Sequence, residues 1–143
     1  MSESNSTRMN ELAFFKWRVE SIMPTRKYFR ESQAYPGKTL LIDVRNSTAE
    51  ELGAVIPGAT RVPEAEIKDR LSELPKNKPI VVYTWDDWCN LAAYAAITLL
   101  ENGFSAMVLS GGIAAWQALN FPTEDPMRSE NHERTAGQEE SDG

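Results

Sequence analysis

The chain has 143 residues, 41% hydrophobic and 25% charged, with a formal charge of −6, the balance of one ordinary globular domain. One histidine, His132, lies in a polar C-terminal stretch and the single cysteine is Cys89, which excludes a Ser-His-Asp triad or Cys-His pair on a folded scaffold, a Cys/His zinc site, a CxxC pair and an internal disulfide. No nucleic-acid partner is expected, because residues 123–143 carry −5 of the charge and the nearly neutral remainder offers no basic face.

Residues 1–24 read as a polar leader, MSESNSTR, and an amphipathic helix from about Met9 to Met23, ended by Pro24. Leu12, Phe15, Val19 and Ile22 fall on one stripe, which is expected to pack on the domain. Phe14 and Trp17 lie on the other side. They either fold under their own chain or meet a second copy, so a homodimer through this helix is one expectation. Thr25 is a candidate N-cap for a second helix to about Gln33, and Pro36-Gly37 is a turn.

From there strands and helices alternate. Residues 39–44 form a strand, Ser47 and Glu50 a capping box, residues 59–62 a short strand and residues 64–74 a helix with Ile67, Leu71 and Leu74 inward. Ile80-Val-Val-Tyr83 is the strongest strand. Residues 90–102 are helical, with Leu91, Ala95, Ile97 or Thr98, and Leu99 buried, and Gly103 suits a left-handed cap. A strand at 104–109, a Gly111-Gly112 turn and a helix at 113–119 complete a pattern that argues for a parallel sheet covered on both faces. Residues 123–143, acidic and poor in aliphatic side chains, read as a disordered tail. The longest nearly apolar run, residues 91–100, falls short of the ~20 residues that span a bilayer, so no membrane insertion is expected. A lone thiol without an apolar leader fits the cytoplasm.

In open parallel sheets, ligands bind beyond the carboxyl ends of the strands, which makes Thr84-Trp85-Asp86-Asp87-Trp88-Cys89-Asn90 the candidate site loop. Cys89 stands beside a helix N-terminus, whose dipole favours a thiolate, whereas Asp86 and Asp87 disfavour both a thiolate and an anionic substrate. Cys89 is therefore either a packed side chain or a nucleophile. Two adjacent carboxylates without further ligands do not make a metal site, and no cofactor is implied.

The ordered segments Ile42-Asp43-Val44-Arg45, Ile56-Pro57-Gly58-Ala59, Val81-Val82-Tyr83, Gly103-Phe104 and Gly111-Gly112-Ile113-Ala114-Ala115-Trp116 resemble the signatures of a rhodanese-like domain, over about residues 25–122. The resemblance implies a single α/β domain with a parallel five-stranded sheet, helices on both faces and an added N-terminal helix. In active members a cysteine directly after the central strand takes a sulfane sulfur from a thiosulfate-like donor and passes it on. Thr84 occupies that place here. Cys89-Asn90 matches a second Cys-Asn pair of a long-loop subgroup, so the loop is read as degenerate, in a weakly active or non-catalytic module that binds a protein partner or sulfur donor at this face. The alternative is a persulfide carrier using Cys89. Asp43 and Arg45 are read as braces for the loops, Gly111 and Gly112 as backbone needing positive φ or close approach, and Trp116 as a core anchor.

Overall fold

The computed structural model describes residues 2–127; the greater part of the stretch read as a disordered tail, residues 128–143, lies outside them. Its elements are α1 (Ser2–Ser21), β1 (Ile22–Met23), α2 (Thr25–Ala34), β2 (Leu40–Asp43), α3 (Ala49–Leu52), β3 (Thr60–Arg61), α4 (Glu64–Ile67) with a 3₁₀ segment (Lys68–Glu73), β4 (Ile80–Tyr83), α5 (Leu91–Glu101), β5 (Ala106–Leu109) and α6 (Gly112–Ala118). The five strands form one parallel sheet in the order β1-β5-β4-β2-β3.

The central strand explains the layering. All four residues of β4 are buried because both faces of the sheet are covered, and their alternation divides the core in two. Ile80 and Val82 join Ile42, Ala95, Leu99 and Phe104 on the α5 face. Val81 and Tyr83 join Tyr28, Leu109, Ile113 and Trp116 on the α2 and α6 face. Trp116 is 2% exposed, its indole N–H donates to the Pro122 carbonyl at 2.7 Å, and its ring meets Phe29 and Phe121 edge-on.

Several local expectations are corrected. The first helix begins at Ser2, inside the stretch read as a leader, and ends at Ser21; Ile22 and Met23 are a strand on β5. Pro24 disfavours helical backbone at Met23, and the Met23 carbonyl accepts the Ser110 N–H at 2.9 Å. The Leu12, Phe15 and Val19 stripe is not packed on the domain: these side chains are 55%, 61% and 76% exposed.

Thr25 does not cap α2. Its hydroxyl donates to the Ser110 carbonyl at 2.7 Å, and Pro24 takes the N-cap place. The α3 cap is Thr48 accepting from the Glu51 N–H, one residue later than the Ser47–Glu50 box. The helix expected at 64–74 is α-helical only to Ile67. In α5 the buried stripe is Ala92, Ala95, Ala96 and Leu99, while Ile97 faces solvent. The presumed tail begins inside the fold, because Glu124 and Val55 exchange two backbone hydrogen bonds of 2.8 Å. No helix among the described residues is long and apolar enough to cross a membrane.

Candidate functional site

The loop of residues 84–90 leaves the carboxyl end of β4 and enters α5, as the alternation of elements requires. Its first half is fastened to α6. The Ile113 and Ala114 N–H groups donate to the Thr84 and Trp85 carbonyls, each at 3.0 Å, so the open donors of the helix start are used to hold the loop. Such an approach needs glycine at 112. A Cβ there would collide with the Thr84 carbonyl oxygen and stand 2.9 Å from the Asp86 nitrogen. Gly111 and Gly112 both have positive φ, +71° and +57°.

The loop's two carboxylates turn onto backbone donors. Asp86 Oδ1 accepts the N–H groups of Trp88 at 2.9 Å and Cys89 at 3.1 Å. Asp87 Oδ1 accepts the Gly111 N–H at 2.6 Å. Charge-assisted bonds of this kind are the strong ones, and each satisfies a backbone donor of the loop or of its neighbour Gly111. Thr84 is buried, with its hydroxyl 3.1 Å from the sulfur of the half-buried Cys89. Asn90 is exposed at the start of α5, and Trp88, 93% exposed, stands at the tip of the loop.

Beneath the loop, Asp43 and Arg45 form a buried pair with Nη2 to Oδ2 at 2.6 Å and Nε to Oδ1 at 3.0 Å. The same guanidinium donates to the Ala54 carbonyl at 2.8 Å and stacks 4.4 Å from the centre of the Trp85 ring. It thereby ties the end of β2 to the α3 loop and to the underside of the site loop. The sequence marks Tyr83 as a strand residue and as part of the Val81-Val82-Tyr83 segment, with no role for its hydroxyl. Its hydroxyl donates to Asp43 Oδ2 at 2.8 Å and accepts the Ile56 N–H at 3.1 Å. Burial, then the Asp43 charge, pushes its phenol well above the ordinary range. A buried tyrosine needs a partner for its hydroxyl, and β4 sets Tyr83 beside Asp43 of β2, so a strand-pairing argument would have found the bond.

The structure therefore gathers Thr84, Trp85, Asp86, Asp87, Trp88, Cys89 and Asn90 in one loop, seats Gly111 and Gly112 against it, and places Asp43 and Arg45 below it. Trp116 anchors the core on the α2 and α6 face, the cluster that also holds Tyr83 and against which Trp85 packs. Among the described residues no group of three or more His, Cys, Asp or Glu side chains is placed to hold a metal ion.

With a loop of this form beyond the central strand of a five-stranded parallel sheet, the chain belongs to the rhodanese-like domain family, whose model matches residues 26–119. It is 34% identical over 91 residues to a protein of Allochromatium vinosum named "Sulfurtransferase", covering 61% of this chain and 79% of that one. It is 33% identical over 89 residues to the HTH-type transcriptional regulator Rv0324 of Mycobacterium tuberculosis, a match that takes 62% of this chain but only 39% of the regulator. A solved full-length protein of Lactobacillus plantarum superposes with a TM-score of 0.76 at 28% identity, covering 85% of this chain and 98% of that one. The BH2092 protein of Bacillus halodurans does so with a TM-score of 0.73 at 25% identity, covering 83% and 87%.

Proposed function

We propose that this chain is a rhodanese-like module with a degenerate loop, which binds a protein segment at its loop face and turns over thiosulfate weakly or not at all. One observation carries this reading: the N–H groups of Trp88, Cys89 and Gly111 are already taken by the carboxylates of Asp86 and Asp87. Oriented N–H groups are what would stabilise an anionic sulfur, and here they hold the loop's own negative charge. Thr84 reinforces it, because a hydroxyl does not carry a sulfane sulfur. The exposed Trp88 indole suits a protein contact, since aromatic side chains are the usual anchors of such surfaces. A relative named as a transcriptional regulator, in which the matched segment fills 39% of the length, supports a module that serves within a larger protein. The single thiol suits a reducing cytoplasm.

A second reading is favoured by the 3.1 Å contact between Cys89 Sγ and Thr84 Oγ1, in which the hydroxyl is placed to donate to a thiolate. The Cys89 thiolate would attack the outer sulfur of thiosulfate, forming an S–S bond, while the donor's own S–S bond breaks and its electron pair leaves with sulfite. A relative named as a sulfurtransferase supports it.

Thiosulfate:cyanide turnover and intact mass after thiosulfate exposure decide between the two. Wild type is expected at the blank rate, with no added sulfur on Cys89 and no change on Cys89→Ser. Thr84→Cys with Asp86→Gly and Asp87→Gly, which take the carboxylates away from the three N–H groups, is expected to exceed Thr84→Cys alone by about a hundredfold. Robust wild-type turnover abolished by Cys89→Ser would overturn the first reading in favour of the second.

A further inference from the structure

The helix α1 is polar overall but carries large apolar side chains that the body leaves uncovered. Its main contacts with the body are at β1 and β5, and Met9, Leu12, Phe14, Phe15, Trp17 and Val19 are each more than half exposed. A helix of this length is not held together by propensity alone, and most helical stability comes from packing an apolar face. Beside its C-terminal half runs a groove of about 420 Å³, with Phe15 and Val19 of α1 on one side and Ile22, Pro24 and Met107 of the body on the other. Arg18 and Lys27 also line it.

We infer that this groove receives α1 of a second copy, antiparallel about a two-fold axis near Phe15. Leu12, Phe15 and Val19 are spaced three and four apart along α1, as in a helix seam. In an antiparallel pair centred there, Leu12 and Val19 of one copy interdigitate with Val19 and Leu12 of the other, and the two Phe15 rings meet. The flanking charges select the same arrangement. Glu11 and Arg18 lie on one flank of the stripe, and the two-fold sets Glu11 of each copy opposite Arg18 of its partner, twice, with Lys27 of the groove lining near the same place. A parallel pair would instead put the two Glu11 and Arg18 flanks on opposite sides of the seam, where they cannot pair. The stripe with its charged stems presents on the order of 600 Å² per copy, so the pair buries about 1,200 Å², enough for a specific two-fold contact.

The test is sedimentation of the full chain from micromolar to hundreds of micromolar. Wild type is expected to be a dimer. Leu12→Glu with Phe15→Glu is expected to weaken association by about a hundredfold without loss of the folded circular dichroism signal, since both side chains are exposed. Glu11→Arg and Arg18→Glu are each expected to weaken it about tenfold, and the double reversal to restore it. A monomer over the whole range overturns the proposal, whether or not the helix then binds phosphatidylglycerol vesicles. So does a dimer that survives the stripe variant and falls apart only on Phe14→Asp with Trp17→Asp.

Discussion

At the scale of single residues, Tyr83 joins three segments through one oxygen. Its hydroxyl holds Asp43 at the end of β2 and the Ile56 N–H of the segment entering β3, so the brace under the loop is a network of Tyr83, Asp43 and Arg45. Tyr83→Phe leaves the Ile56 N–H without its acceptor and is expected to cost about 1–3 kcal/mol by denaturant unfolding. The phenol also gives the fold a dependence on alkaline pH. Its native value is raised above the ordinary 10.0, mainly by burial, so the native state holds the proton more tightly than the unfolded chain. That stabilisation is complete below pH 10 and is lost as the pH rises beyond it, at up to about 1.4 kcal/mol per pH unit for one proton. Tyr83→Phe is expected to flatten the decline above pH 10, leaving the smaller share of the buried Tyr28. An unchanged slope would show that Tyr83 titrates alike in both states.

At the scale of elements, what was legible followed from periodicity and what was not followed from tertiary bonds. The run at 80–83 and the turn at 111–112 announce themselves, one by unbroken β-branched and aromatic side chains, the other by two adjacent glycines. The strand at 22–23 does not, since two residues carry no pattern; β5 makes them a strand. The site divides in the same way. The sequence marks the loop and the charge of Asp86 and Asp87, but which N–H a carboxylate reaches depends on the loop's path. The C-terminal boundary is a further case. Composition begins the tail at 123, yet Glu124 pairs with Val55 as a short antiparallel bridge and Pro126 is buried. A chain ending at Met127 is therefore expected to be more stable than one ending at Pro122, by about 2 kcal/mol for the two backbone bonds and a melting difference of several degrees. Equal melting temperatures would mean that the bridge contributes nothing.

For the molecule as a whole, a sheet of five parallel strands has two free margins, and here they are β1 and β3, each two residues long. A short outer strand exposes few unpaired backbone groups to another chain. The inner neighbour of β1 is different: Ala106–Leu109 is apolar and twice as long. A fragment cut at residue 25, just ahead of the matched family segment, would lose Ile22 and Met23 and leave Val108 and Leu109 without their partners. Residues 25–143 are expected to scatter light and precipitate at concentrations where the full chain stays clear, whereas a fragment from Ser21 stays clear for longer. Equal clarity of the two fragments would sink this account. Ile22 and Met23 thus act as a terminator of sheet growth: they occupy the edge of β5 and are too short to template the strand of another molecule.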